Sequence, residues 1–423
     1  MEIHITEDLK MESLLPFSVV ENFRFDWRPN QHAVLELAGF INREMECKRL
    51  ELYNSKVKVW TEKDGREQIL FYGGIGKIEE QVVGNTTKVC LEAESGSCGL
   101  DREMEKRSFQ EVDKTYAEVA HTVVESGGGN VICAEGKELT LERPLIQYEE
   151  TAWEFIKRLA SRLGTCVIPD IETGKQNVWF GMRKGADIPS FSEQKYSMNV
   201  RTGTGGQSAE ESYEIEGREF YKLGDRTIFL GKKMLICGVS ASFIHGDLIF
   251  RYLLKERENC KAIYREQFIG LGLTGTVAEV RKERVRIALD IDGENAVGNY
   301  FYHWYPETGN ALYAMPEIGA RILLYFGSRD EQEGYALHCL PEKAGSGSVY
   351  TDRHLHIADG NTADLSAGNV SFSRGSQQSL SVGDGHIYAG SSHKLSIHAM
   401  ESVQIDAGRM MISTPDELDI CQG

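Results

Sequence analysis

The sequence predicts a mainly β protein with a small five-stranded barrel and a C-terminal stacked β-repeat that one chain cannot complete alone. Three observations lead there. Strand-like stretches recur through the first half: VLELAGF at 34–40, QILFYGGI at 68–75, KVCLEA at 88–93, VWFGM at 178–182 and MLICGVSASF at 234–243, many bounded by Gly, Asp or Asn. Five further strand candidates crowd into about 70 residues after position 270. Beyond residue 344, an apolar position returns every seven or eight residues.

With 423 residues the chain has room for roughly two to four domains. Hydrophobic content of 41% and charged content of 26% are those of a folded, soluble protein. The N-terminal segment MEIHITEDLKMESLLPF lacks the basic and apolar regions of a signal peptide, and no run of 18 apolar residues occurs, so neither Sec export nor a membrane span is expected. Nine cysteines, at 47, 90, 98, 133, 166, 237, 260, 339 and 421, include no C-x-x-C pair. They read as reduced cytoplasmic thiols rather than a zinc site or a disulfide frame. A formal net charge of −17 opposes phosphate backbones, which argues against nucleic acid as a partner.

Few helices are expected. In TAWEFIKRLASRLG, Thr151 and Glu154 offer a capping box, Ala152, Ile156, Leu159 and Leu163 repeat at helical spacing, and Gly164 stops the run, placing a helix at about 152–163. A second helix puts Val112, Tyr116, Val119 and Val123 on one face and ends at the glycines 127–129. Its start is open, because Ser108 with Glu111 and Thr115 with Glu118 both make a capping box. The polar stretch RTGTGGQSAEES at 201–212 reads as a long loop.

LTGTVAEV, RVRIALDID, NYFYHW, RILLYF and GYALHCL are the five barrel candidates, and Val285, Ile287, Leu289 and Ile291 alternate with period two. The count fits a barrel of the OB type. In the tail the apolar beat falls on Ile357, Leu365, Phe372, Leu380, Ile387, Leu395, Val403, Met411 and Leu418. Gly360, Gly368, Gly375, Gly383 and Gly390 follow three residues after each of the first five, as corner residues would. A short period held this long marks a stacked β-repeat of strands and turns. Each unit is too thin to bury a core, so the repeat calls for several chains winding together, with apolar residues on a shared axis and backbone bonds between chains.

No motif nominates catalysis. GLGLTG at 270–275 matches a dinucleotide fingerprint in letters, but strands follow it where a phosphate-binding helix is required, so no cofactor is expected. GGIGK at 73–77 lacks the P-loop spacing, no H-E-x-x-H or G-x-S-x-G is present, and none of the 64 acidic residues stands out as a catalytic pair. His354 and His356 share a strand face, yet by parity with Ile357 they point outward. His393 shares the face of Leu395 and Ile397, where three copies would meet at an axis and hold an ion or a water; a polar position near a turn is the favoured reading, and no metal is expected. The aromatic run FYHWY at 301–305 sits beside the acidic DIDGEN at 290–295 without a basic stripe, which favours packing over base stacking.

Three segments carry a family pattern. RPLIQYEETAWEFIKRLASRLG at 143–164 supplies Gln147, Tyr148, Glu150, Trp153, Phe155, Arg158, Leu159 and Gly164, with Thr151 in place of a usual Ser. RSFQ at 107–110 leads into TYAEVAHTVV, and MPEIGARILLYFGSRDEQEGYALHCL at 315–340 ends a barrel through an acidic turn and a last strand. Taken in order with the repeat, they resemble the spike proteins of contractile injection systems, called VgrG in type VI secretion, which fuse the hub and needle of contractile phage baseplates. The resemblance spans nearly the whole chain and favours Thr115 as the second helix cap.

The resemblance implies a hub at 1–270 of two tube-like β-barrels, about 15–105 and 130–265, with a helical segment at about 107–125 between them. An OB-fold domain at 271–343 and a triple-stranded β-helix needle at 344–423, formed by a homotrimer, follow. Implied partners are the hexameric inner tube protein, baseplate proteins, a PAAR-like tip protein, effector cargo and the target envelope. Such a spike is a structural, membrane-puncturing device, assembled in the bacterial cytoplasm and then ejected, rather than an enzyme. Only about ten residues, PEKAGSGSVY, separate barrel from repeat, too few for an inserted catalytic domain. The chain stops at ELDICQG without an apolar tip cone, so either a separate tip protein caps it or the natural chain is longer. The rival expectation is an envelope polysaccharide hydrolase, which needs paired carboxylates across a cleft; a nucleic-acid-binding module using the OB face ranks third.

Overall fold

Alternating strands dominate the first 341 residues. A computed structural model describes residues 2–4, 9–42, 55–63, 65–201, 210–244, 246–293, 296–306, 314–340, 352–357 and 360–420. By its contacts the chain divides into two compact units, Met1–Pro341 and Glu342–Gly423.

In the first unit a twelve-stranded sheet runs in the order Glu2–His4, Leu9–Glu12, Lys56–Lys63, Arg66–Val83, Thr86–Ser95, Val34–Asn42, Phe17–Trp27, Lys232–Ile244, Asp247–Lys255, Glu210–Gly217 and Tyr196–Arg201, with Arg226–Phe229 added beside Lys232–Ile244. Period-two burial explains it: Phe23, Phe25 and Trp27, then Leu35 and Leu37, then Val89, Leu91 and Ala93 all point into one core. The sheet is continuous across the two halves of the expected hub, because Phe17–Trp27 pairs antiparallel with Lys232–Ile244 from Trp27↔Val239 to Arg24↔Ser242. The expected loop at 201–212 sits inside a hairpin whose flanking strands pair from Tyr196↔Ile215 to Arg201↔Glu210; its residues 202–209 lie outside the described set.

Two helices pack in a second core with the small sheet of Asn130–Cys133, Asn177–Phe180 and Val167–Pro169. Helix α1, Tyr116–Ser126, starts at Thr115, whose hydroxyl accepts from the Glu118 amide at 3.2 Å while Glu118 accepts from the Thr115 amide at 2.7 Å. The alternative start fails because Ser108 belongs to the strand Met104–Phe109. Helix α2, Ala152–Arg162, has the same reciprocal cap between Thr151 and Glu154. Its buried surface is wider than the spacing of Ala152, Ile156 and Leu159 implied, and includes Trp153, Phe155, Arg158 and Ala160.

The five barrel candidates close into a ring in the order Gly272–Arg281, Arg284–Leu289, Tyr302–Tyr305, Tyr335–Leu340 and Arg321–Tyr325. Val285, Ile287 and Leu289 are buried as the alternation requires, but Ile291 is half-exposed, since the chain leaves the strand for a 3-10 turn at Asp290–Asp292. In the aromatic run, Tyr302 and Trp304 enter the barrel core while His303 and Tyr305 face out. GLGLTG leads from a turn at Gly270 into the first barrel strand.

The second unit is an antiparallel five-stranded meander: Arg353–Ile357, Asn361–Ser366, Asn369–Arg374, Gln378–Gly383 and His386–Ser391. Its ladders lie within the chain, where pairing between chains was expected, because adjacent strands joined by short turns satisfy their own N–H and C=O groups. The glycine beat also needs correction. Gly360, Gly368 and Gly375 do lie in turns, but Gly383 ends a strand, Gly390 lies inside one, and the corner between them is taken by Asp384 and Gly385. At φ +80° Gly385 adopts a left-handed conformation suited to a residue without Cβ. Regular pairing stops at Ser391, so Leu395, Val403, Met411 and Leu418 occupy no strand.

The caps give a first test. Thr115→Ala is expected to cost about 1 kcal/mol in urea unfolding. Thr151→Ala is expected to cost more, because the Thr151 hydroxyl also donates to Asp101 at 2.5 Å.

Candidate functional site: a buried ion cluster and an apolar sheet face

The strand Leu145–Thr151 pairs with Met104–Phe109, and its register slips between Tyr148 and Glu150. The slip is a bulge at Glu149, held at φ 47°. It turns the Glu150 side chain inward, next to the helix that begins two residues later. Gln147 fixes the bulge by donating to the Glu150 carbonyl at 2.9 Å and accepting from Arg107 Nε at 2.8 Å.

Arg158, two turns along α2, meets Glu150 in a two-pronged pair, Nε to Oε1 at 3.0 Å and Nη2 to Oε2 at 2.7 Å. Its Nη2 also donates to the Ile146 carbonyl at 2.8 Å, and its Nη1 donates to Glu331 of the barrel. Arg158 and Glu150 are each 2% exposed and Glu331 is 0%. One turn further, Arg162 grips Asp330 at 2.8 and 3.1 Å and reaches Glu331 at 2.9 Å. Arg265 approaches Glu150 at 3.3 Å and Glu154 at 3.4 Å. Burial acts to lower the Arg158 pKa, but the carboxylates of Glu331 and Glu150 outweigh it and the guanidinium is held charged. Asp330 resolves similarly: burial would raise its pKa, and the bonds from Arg162 and the Gln332 amide bring it below the ordinary range.

The remaining motif residues brace this cluster. Trp153 stacks on His32 with ring centres 4.3 Å apart, and Phe155 on Phe109 at 5.3 Å. Burial lowers the His32 pKa, with Asp101 pulling the other way. Tyr148 lies against the barrel core under the Lys106 ammonium, Leu159 fills the helical core, and Gly164, at φ 69°, ends the helix. Ile146 is part of the barrel core itself. A second seam runs beside the first, where Asp292 accepts from the Ser108 amide and hydroxyl, both at 2.5 Å, and Asn299 accepts from the Val112 amide at 2.9 Å. Gly298 lies so close to Gln110 that a Cβ there would stand 2.1 Å from the Gln110 Cβ.

Each carboxylate of this cluster is committed to a guanidinium, an arrangement suited to locking two modules rather than to proton transfer. Asp330, Glu331, Arg162 and Arg265 escaped sequence reasoning. The signal was present in the acidic turn SRDEQEG and in two arginines one helical turn apart.

In the second unit the registers sort residues cleanly by face. Leu355, Ala363, Phe372, Leu380 and Ala389 form one row straight across the five strands, and Leu365, Val370, Val382 and Ile387 form another on the same side. The opposite face carries His354, Asp364, Ser371, Ser381 and Tyr388. Phe372 is 53% exposed, Leu380 47% and Ile387 75%. Leu355, Val370 and Val382 share this apolar face although the repeat beat did not single them out. The side chains of His356 and Ile357 lie outside the described set. His354 bonds Asp364 at 2.7 Å across the polar face. His393 lies beyond the last strand, so strand parity does not orient it. Among the described residues no group of three or more His, Cys, Asp or Glu is placed to hold a metal.

Three solved structures share the architecture. A component of the Escherichia coli type VI secretion system, c3393, itself described as similar to the T4 phage tail proteins gp27 and gp5, superposes with a TM-score of 0.55 at 13% identity over 78% of this chain and 99% of its own. The fold is VgrG-like. VgrG-containing Francisella PdpA complexes agree: the half-lidded form matches with a TM-score of 0.55 at 8% identity over 88% of this chain and 83% of that one, and the lidless form with 0.55 at 8% over 88% and 94%. No family model and no curated protein matches the sequence. Within the VgrG-like fold, the ion cluster sits where α2 and the strand pair 104–109 and 145–151 meet the turn before the last strand of the five-stranded barrel. Among the described residues no helix is long and apolar enough to cross a membrane.

Arg158→Met leaves Glu150 and Glu331 buried without their shared cation and is expected to cost about 3–5 kcal/mol in urea unfolding. Arg158→Lys loses the two-pronged geometry and is expected to recover only part. Because the Asp330 pKa is depressed by folding, its contribution is full above the ordinary carboxylate range and lost as pH falls through the folded-state value. The stability gap between wild type and Asp330→Asn, measured across pH, is therefore expected to close in acid.

Proposed function

We propose that this chain is a structural, trimeric, membrane-puncturing spike at the front of the inner tube of a contractile injection system. The observation that carries the reading is the exposed apolar side of the repeat. Nine apolar residues in two cross-strand rows face away from their own backbone, and a sheet of this kind needs a hydrophobic partner layer. Three copies turning these faces inward supply one another's missing layer. Leu365, Phe372, Leu380 and Ile387 then line the axis, with Ile357, Leu395, Val403, Met411 and Leu418 continuing it once chains pair. The Ser, Thr and His face is left to water.

In this reading residues 1–270 are the hub of two related barrel subdomains, 271–343 the OB-fold domain and 344–423 the needle. Three hubs offer six barrel subdomains to a hexameric ring of the inner tube protein, and baseplate proteins hold the hub. A PAAR-like tip protein and effectors attach at the needle. Assembly takes place in the cytoplasm of the producing bacterium, and sheath contraction drives the spike into the target envelope. The ion cluster suits this task, since it joins hub to barrel through buried charge pairs that resist sliding. The function is mechanical rather than enzymatic.

Light scattering of the full chain at micromolar concentration is expected to give three times the chain mass, and a stable monomer would overturn the reading. Leu380→Asp places three charges at one level of the axis, where each unpaired buried charge costs several kcal/mol, and is expected to abolish the trimer. His386→Asp, on the polar face, is expected to leave it intact. Equal tolerance of both changes would refute the register.

A further inference from the structure

Among the cysteines, two that are distant in sequence meet in the core of the large sheet. Cys166 follows α2 and is fully buried, while Cys260 lies in the connection after the strand Asp247–Lys255 and is half-buried. The backbone sets them side by side: the Cys260 amide donates to the Gly164 carbonyl at 3.0 Å. Asn30 bridges the pair, its own amide donating to the Val167 carbonyl at 2.7 Å and its Oδ1 accepting from the Val167 amide at 2.8 Å. The Asn30 side-chain amide also donates to Cys260 Sγ at 3.3 Å. Together these bonds bring the two thiols near enough for each to perturb the other's protonation.

We infer that Cys166 and Cys260 form a dithiol switch that closes to a disulfide when a low-molecular-weight disulfide is present. The accessible and hidden members divide the work. Cys260 is pulled below the usual thiol range, first by the neighbouring Cys166 thiol and then, against burial, by the hydrogen bond from Asn30. Cys166 is pushed far up by the neighbouring Cys260 sulfur and by burial. Cys260 is thus the thiolate and Cys166 the proton donor. Also facing the pair are Cys237, Glu258 and Lys255, the last two paired with each other at 3.0 Å.

The Cys260 thiolate attacks one sulfur of the external disulfide, forming a mixed disulfide and expelling one thiolate. That thiolate takes the Cys166 proton. Cys166 sulfur then attacks Cys260 Sγ, the Cys166–Cys260 bond forms, and the second external thiolate leaves and takes a proton from water. The protein pair loses two electrons and the external disulfide becomes two thiols; excess thiol reverses the sequence. The closed bond ties the segment after α2 to the connection leading into the barrel.

The test treats full-length protein with glutathione buffers from fully reduced to fully oxidised, blocks free thiols in acid and maps peptides by mass. The expected product is a Cys166–Cys260 cross-link that returns to two thiols with excess reductant. Cys166→Ser is expected to stall as a glutathione adduct on Cys260. Alkylation of Cys260 is expected to reach half its maximal rate at a lower pH than an ordinary thiol does, and that midpoint is expected to shift upward in Asn30→Ala. The wild-type map decides even if a variant fails to fold. The inference is overturned by a lasting Cys260 adduct without cross-link, by a Cys260 bond to Cys237, or by reduced Cys166 and Cys260 in protein whose exposed Cys90 and Cys339 are modified.

Discussion

The sharing of one guanidinium between Glu150 and Glu331 is the constraint on which the first unit depends. Glu150 comes from the bulged strand, Arg158 from α2 and Glu331 from the turn before the last barrel strand, so three elements from different parts of the chain meet at one planar group. Removing such charges from water is costly, and only full pairing offsets it. The geometry is therefore demanding: a guanidinium displaced by a rung of the sheet or a turn of the helix would leave a carboxylate dry and alone. Burying Ile146 among the barrel residues adds an apolar pin to the same joint. Energy of position, more than net stability, is what the cluster contributes.

The repeat obeys the opposite logic. Where the first unit buries the apolar face of its large sheet in its own core, the second satisfies only its backbone. Its hydrogen-bond ladders are complete across five strands while the apolar rows stand open. Backbone pairing and side-chain burial, which normally come together in a domain, are separated here: the chain meets the first and leaves the second open.

Much of this was legible in the sequence, for identifiable reasons. The Thr151 cap announces itself because Glu154 stands three residues on, as a helix start requires, whereas the Thr115 cap shared that signature with Ser108 and Glu111, which the fold places in and after a strand; the barrel strands are legible because Val285, Ile287 and Leu289 alternate against a closed core. The glycine corners were half legible: a turn can be made by the two residues after the beat, as Asp384 and Gly385 do, without disturbing the strand period. The ion cluster was legible only as a motif. Glu150 and Arg158 stood in the pattern, but their partner Glu331 looked like one more acid in a surface turn, and no local rule connects residues so far apart. Nor could spacing reveal that Ile291 leaves its strand, since Asp292 is drawn aside to bind Ser108.

The Arg158 network also has an order in time. Arg158 and Glu150 are eight residues apart, so their pair can form as soon as α2 folds against the preceding strand. Glu331 is 173 residues from Arg158 and emerges from the ribosome long afterwards. Until then the helix presents Arg158 and Arg162 as a half-filled socket of positive charge, and the acidic turn that completes it belongs to the last closing stretch of the barrel. The nascent chain thus carries a marked docking point for its own later domain. A barrel truncated before that turn would leave the socket facing water.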